Sequence, residues 1–325
     1  MTNQACTYRP LTRTDVPQIL DLLHQSHVGE AQHHPDYPPF DAFRAALESQ
    51  LIALIDRNAG WAAQANGQLC GFMIGLRIGA LFGKDKGLVI GAHGWSVHGT
   101  SRGEILIELA TRVLQDAVHH GHTSIAWTIP AHDQQAIALA RDLGFGNRCA
   151  DALRTTAQAL RQPSSVRIER LTVSQLDLIA PLHQAHNRYY RQAPLWMPNP
   201  EEDPLEDLKA WMTSDDRWIW AAFEKHQPVG YLRVQAHAES YLSHHPHLCN
   251  ITAAYVDPAW RHTGVATALL NQALHDLNDH GIRWCGVDYE TINPSGSRFW
   301  SSHFTPYTVS LTRRIDERIL DVNLT

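Results

Sequence analysis

Thiol chemistry has little to work with in this sequence. Its five cysteines, Cys6, Cys70, Cys149, Cys249 and Cys285, are scattered, odd in number and never in CxxC spacing. That excludes a paired-thiolate metal site and a disulfide framework, and it fits free thiols in a reducing compartment. Long apolar runs are missing too. No stretch approaches the roughly 18 apolar residues of a membrane helix, and the opening MTNQACTYRPLTRTD has no apolar leader core. A soluble, cytoplasmic protein without a membrane partner is expected. Positive charge is not in excess: the formal net charge is −6, which argues against a general nucleic-acid or anionic-lipid binder. There is no full P-loop. The densest histidine runs, 244-HHPH-247 and 119-HHGH-122, lack carboxylate or cysteine partners at ligand spacing, so no metal is expected.

What is present is an ordinary globular mixture, 44% hydrophobic and 18% charged over 325 residues, enough for a core in each of two domains. The chain also repeats itself. LLHQSH (22–27) answers PLHQAH (181–186), and WAAQANGQLCGF from Trp61 answers WAAFEKHQPVGY from Trp220, both 159 positions apart. Gly71/Gly230 and Val97/Val256 share that offset, while Gly121/Gly281 and Asp133/Asn293 are 160 apart. The expected division is an N-terminal domain over 1–155, a polar linker over 156–165 with its Pro163-Ser164-Ser165 breaker, and a C-terminal domain over 166–325.

Periodicity gives the order of elements in the second copy. A short strand, a turn and a helix occupy 167–186, with Leu176, Ile179 and Leu182 on one face. A hairpin covers 218–236 and a strand 249–256. A helix follows with Leu269, Leu270, Ala273, Leu274 and Leu277 on its core side, ending near Gly281. Strand 283–290, a helix over about 295–302 and a last strand around 307–315 complete an α/β fold with a sheet of mixed direction.

Between the strand ending Tyr255-Val256 and that long helix stands Arg261-His262-Thr263-Gly264-Val265-Ala266. A helix's first turn has backbone N–H groups without partners and a dipole that favours an anion. Gly264 lets a phosphate approach the backbone, Arg261 and His262 add charge, and Thr263 or Thr267 adds a hydroxyl. The passage resembles the acyl-CoA pyrophosphate loop of the GNAT N-acyltransferase superfamily. A second element of that family is matched by Asn293, Gly296, Phe299 and Trp300. The resemblance covers both copies and implies two tandem GNAT domains, each a mixed, mostly antiparallel sheet flanked by helices. It implies acetyl-CoA as co-substrate and a primary amine of a small molecule or peptide as acceptor. It also implies that Tyr255 and Val256 pair with the pantetheine arm, that Asn293 meets that arm from the next strand, and that a backbone N–H near Tyr255 or Val256 polarises the thioester carbonyl.

The first copy keeps the helix (Leu106, Leu109, Ala110, Val113, Leu114) in 96-SVHGTSRGEILIELATRVL-114, but its loop is one residue shorter and Glu104 sits where an anion would approach. Asp133 replaces the asparagine, and Ala140 stands where Trp300 stands. This copy is expected not to bind CoA, serving instead as a pseudo-dimer partner or as a wall of the acceptor pocket; the chain is then a monomer built as a pseudo-dimer, or a homodimer.

Relatives often carry a tyrosine acid where this chain has Trp300. The nearby substitutes are Tyr307 first, then His303, with Ser301 also close. Glu290 and Asp288 are candidates for the base or for holding a cationic acceptor, and equally read as solvated strand-end carboxylates. Trp196, Trp211, Trp218 and Trp220 fall in the region that shapes the acceptor pocket in the family, although Trp218 and Trp220 also suit core packing. Two rival readings remain: a mycothiol-synthase-like tandem acetyltransferase, and a non-catalytic acyl-CoA sensor or scaffold.

Overall fold

The computed structural model describes residues 6–34, 36–158, 160, 166–199, 203–238 and 240–322. The first half runs β1 (Thr7–Pro10), α1 (Val16–Ala31), α2 (Arg44–Arg57), β2 (Gly60–Ala65), β3 (Gln68–Ile74), β4 (Leu76–Ile78), β5 (Gly87–Ile90), β6 (Trp95–Val97), α3 (Arg102–His119), β7 (Ser124–Pro130), α4 (Gln134–Asp142) and β8 (Gly146–Thr155). The second runs β9 (Arg167–Arg170), α5 (Ala180–Tyr190), α6 (Pro204–Trp211), β10 (Arg217–Glu224), β11 (Gln227–Ala236), β12 (Leu248–Val256), α7 (Val265–Asp279), β13 (Trp284–Glu290), α8 (Pro294–His303) and β14 (Thr305–Arg314). Of the expected linker, residues 159 and 161–165 lie outside the described residues.

The repeat is written into strand register. Gly71 of β3 lies opposite Val97 of β6, and Gly230 of β11 opposite Val256 of β12. The next pairs, Phe72 with Ser96 and Tyr231 with Tyr255, keep the 159-residue correspondence. The β2–β3 hairpin turns on Asn66-Gly67, both at positive φ, the conformation that suits the strands' twist. The β10–β11 hairpin turns at Lys225, also at positive φ.

Chain packing separates two units: one holds the residues up to Ala150 with those from Pro306 on, the other Asp151–Thr305. Within the first, β1-β2-β3-β6 form one antiparallel sheet, and β4, β5, β7 and β14 follow one another in a second. Within the other, the order is β8-β13-β12-β11-β10-β9. Parallel pairing there joins β12 to β13, and the hairpins are antiparallel. Strand β14, at the end of the second half, belongs to the unit of the first: Thr308–Arg314 pair antiparallel with Pro130–Ser124 of β7. Its Leu311 is fully buried in that unit's core with Trp127 and Phe145.

The long helices bury the stripes their periodicity marks. In α7, Leu269, Leu270, Ala273, Leu274 and Leu277 are all at most 2% exposed, and α3 buries Leu106, Leu109, Ala110, Val113 and Leu114. Truncating one such leucine to alanine costs about 2–5 kcal/mol. Both helices end before a left-handed glycine, Gly121 or Gly281.

Candidate active site

A cavity of about 420 Å³ opens in the second unit where two parallel strands part. Strand β12 pairs with β13 from Leu248 to Ile251. Its register with β11 then shifts, Val234 facing Ile251 but Arg233 facing Ala253, so Thr252 is an extra residue. A bulge of this kind bends its strand and ends regular pairing. Past it, β12 is paired with β11 alone. Asp257 donates its N–H to the Val229 carbonyl. By antiparallel alternation Tyr255 and Ala253 spend their polar groups on β11, and Ala254 and Val256 turn theirs to the vacated side. Both of those residues line the cavity, as do Tyr255, Asp288, Glu290 and Asn293.

The loop before α7 forms the next wall. His262 and Gly264 both have positive φ, at 64° and 88°. Gly264 is the residue preceding the helix, and the first helical bond runs from Ala268 N–H to its carbonyl. The N–H groups of Val265, Ala266 and Thr267 precede that bond, a ready anion cradle at the positive end of the helix. Arg261 donates Nε–H to the Val256 carbonyl at 3.2 Å, and its guanidinium lies over the rings of Tyr189 and Tyr255 at 5.3 and 5.6 Å. Among the described residues no carboxylate pairs with Arg261. Arg261, His262, Gly264, Val265, Ala266 and Thr267 all line the cavity; Thr263 does not, because its hydroxyl is donated to the Trp260 carbonyl at 2.7 Å and serves the turn.

Asn293 closes the far side. Its Oδ1 accepts from the Gly296 N–H, capping α8, and from the Tyr189 and Ser295 hydroxyls. A β-carbon on Gly296 would stand 2.8 Å from Asn293 Nδ2, so glycine leaves the asparagine amide in place. Trp300 lines the cavity and packs edge-on against Phe299 and Phe304.

Of the residues expected to do proton chemistry, Glu290 and Asp288 line the cavity, and Tyr307, His303 and Ser301 do not. Tyr307 lies on β14 and so in the first unit, buried, its ring 6.1 Å from that of Tyr37. His303 packs against Phe299 at 4.8 Å and its carbonyl accepts from Arg154, away from the cavity wall. Sequence proximity to Trp300 misleads for Tyr307 because the chain leaves the second unit right after α8.

The two histidines of PLHQAH, which repeats LLHQSH, belong to the site. Spacing i, i+3 stacks His183 and His186 on one face of α5. Both rings are 2.9 Å through Nδ1 from the hydroxyl of Tyr231, and His183 Nε2 is 2.6 Å from Asp207. His186 and Tyr231 line the cavity. Burial, with His183, Arg233 and Arg261 nearby, pushes His186 down to about 3. Burial also lowers His183 against the opposing pull of Asp207.

The matching place in the first unit is closed. Arg102 makes the same bond as Arg261, Nε–H to the Val97 carbonyl at 2.9 Å, but its guanidinium then grips Asp133 through both nitrogens and reaches Gln135. Helix α3 starts at Arg102 itself, with Glu104 in its first turn; the residue before it is Ser101 at φ −96°, and the left-handed glycine of this loop, Gly99, lies further back. Where Tyr189 stands in the second unit, the first has Glu30, buried and ion-paired with His34 and His132.

Residues 179–295 match the family model described as Acetyltransferase (GNAT) family. The second half of the chain carries a GNAT-family acetyltransferase domain. A GCN5-related N-acetyltransferase from Sphaerobacter thermophilus superposes on this chain with a TM-score of 0.59 at 15% identity, covering 95% of each chain. A tandem GNAT protein from the clavulanic acid biosynthesis pathway gives a TM-score of 0.50 at 15% identity, over 95% of this chain and 98% of its own. At that identity the likeness is one of fold, and it extends the GNAT fold to both halves. No curated protein matches the chain in sequence. Among the described residues no helix is long and apolar enough to cross a membrane, and no cluster of His, Cys, Asp or Glu is arranged to hold a metal ion.

Proposed function

We propose that the second half transfers an acetyl group from acetyl-CoA to a primary amine of a small molecule or peptide, and that the first half does not bind CoA. The observation that carries this reading is the open helix start beside a split sheet. Gly264 leaves the first-turn N–H groups of α7 uncovered, Arg261 has no acidic partner among the described residues, and the β12 edge at Ala254 and the Val256 N–H faces the vacated side, where it can pair with the amides of a pantetheine arm. The diphosphate takes the helix start, Arg261 and His262, while Asn293 Nδ2 faces the arm from the other strand. The Val256 N–H stands near the end of that edge, where it would polarise the thioester carbonyl.

The amine then attacks that carbonyl, the C–N bond forms and the C–S bond breaks. Asp288 and Glu290 in the wall suit an acceptor that arrives as an ammonium and must shed a proton before it reacts. Aromatic walls from Tyr189, Tyr190, Tyr255 and Phe299 suit the apolar body of such an acceptor. The test is release of free thiol from acetyl-CoA by the full chain with a panel of primary amines. Turnover that disappears in Gly264→Glu supports the reading. Tight acetyl-CoA binding without turnover on any amine would replace it with the sensor reading.

A further inference from the structure

Asp207, His183, Tyr231 and His186 form one hydrogen-bonded row in the second unit. Chemistry fixes its direction. A carboxylate only accepts, so His183 donates its Nε2–H to Asp207. A neutral imidazole has a single N–H, so His183 Nδ1 accepts, and the Tyr231 hydroxyl is the group that donates to it. The Tyr231 oxygen then accepts the Nδ1–H of His186, which places the remaining lone pair of His186 on Nε2. One end of the row, His186, is a wall of the cavity, and the other, Asp207, has 38% of its side chain exposed.

We propose that this row carries the proton released by the acceptor amine from the cavity to solvent. The proposal rests on the N-acyltransferase reading. As the C–N bond forms, the C–S bond breaks and its electron pair leaves with sulfur; the thiolate is protonated from solvent. The amine proton passes to His186 Nε2, the Nδ1 proton of His186 to Tyr231, and the Tyr231 proton to His183 Nδ1. The charge then rests on a His183 imidazolium beside the Asp207 carboxylate, which delivers it to water. Arg233 and Arg261 face His186, with the Tyr190 and Tyr255 rings 5.0 and 5.5 Å away. Their positive charge opposes an imidazolium at His186 and drives it outward to the acidic end. His186 is the residue placed against the amine; Tyr231, His183 and Asp207 act through it as positioning residues.

The duplicate supplies the control. His24 and His27 keep the two histidine positions in the first unit, but Phe72 holds the register position of Tyr231 and His27 turns Nε2 to the Pro38 carbonyl. The row is therefore absent where the helix start is closed. Fully buried Phe72 also shows that this fold position packs without a hydroxyl.

The experiment is Tyr231→Phe in the full chain, with three readouts. Calorimetry with acetyl-CoA should give a Kd within about twofold of wild type, and failure of wild type itself to bind would overturn the acyltransferase reading. With an accepted amine, kcat should fall about 100-fold near neutral pH, as loss of general-base catalysis does. The variant-to-wild-type ratio should climb toward one as pH rises, because hydroxide replaces the relay while amine ionisation cancels. An unchanged kcat, or a loss independent of pH, would overturn the relay and leave the acyltransferase reading intact. Nitrogen-15 spectra of the histidine rings test it without turnover: His183 as the Nε2–H tautomer and His186 as the Nδ1–H tautomer support the row, and either opposite tautomer overturns it.

Discussion

Arg102 and Arg261 stand at matched positions and open with the same contact, an Nε–H given to the carbonyl that ends the preceding strand. Everything after that contact differs. Arg102 is held by Asp133, while Arg261 rests on two tyrosine rings and pairs with no carboxylate among the described residues. The difference traces to single replacements. Asp133 and Asn293 both cap the following helix through a side-chain oxygen, but only the aspartate carries the charge that captures its arginine. Glu30 and Tyr189 stand on the same helix position, and the glutamate replaces a neutral hydroxyl bond to the cap with a buried ionic knot. Glu104 in the first turn of α3 then supplies the anion that the helix dipole favours.

The comparison can be broken by moving features of one unit into the other. Gly264→Glu should have the largest effect. It sets a carboxylate at the diphosphate and a side chain at φ 88°, a conformation that costs about 1–2 kcal/mol for an L-residue. Calorimetry should show acetyl-CoA affinity reduced by at least about 100-fold, with charge repulsion beyond the strain. Gly264→Ala, with the strain alone, should lose clearly less. Arg261→Ala comes next, weakening the same Kd about 10- to 100-fold, the worth of a charge-assisted bond of about 1.5–3 kcal/mol. Asn293→Asp should rebuild the Arg102–Asp133 pair in the second unit. Capture of Arg261 should raise Kd about tenfold, less than its removal, since the half-buried guanidinium stays in place and the added charge faces the ligand.

The smallest effect belongs to the first unit's knot and has a pH signature. Burial raises Glu30, but hydrogen bonds from His132 and His34 outweigh it and hold the carboxyl below its ordinary value of 4.5. His132 is raised above 6.5 by its bond to Glu30, against burial, with Asp133 adding and Arg102 opposing. A depressed carboxyl stabilises above its unfolded value and loses that contribution as pH falls. A raised histidine stabilises below its unfolded value and loses it as pH rises through the folded one. The pair therefore contributes most between the two ordinary values, 4.5 and 6.5. Thermal melts of His132→Gln against wild type should differ by a few degrees (about 1 kcal/mol) in that window and converge on either side. A constant difference across pH would contradict the ionic origin.

Much of this was legible in the residues. Repeat offsets fixed strand register, and apolar spacing fixed the buried faces of α3 and α7, because both are local and periodic. The open loop was legible through Gly264 and its neighbour Glu104 in the repeat. Two features were not. That β14 joins β7 depends on which sheet edge the chain meets, and a strand's own sequence does not encode its partner; Tyr307 goes with β14. The row through Tyr231 joins residues 24, 45 and 48 positions apart, and only the i, i+3 histidines of α5 hinted at it.

The stoichiometry of acetyl-CoA binding to the full chain tests the central contrast most directly. Titration calorimetry should give one site per chain, lost in Gly264→Glu and unaffected by Glu104→Ala. Two sites per chain, or a single site that survives Gly264→Glu, would contradict the account.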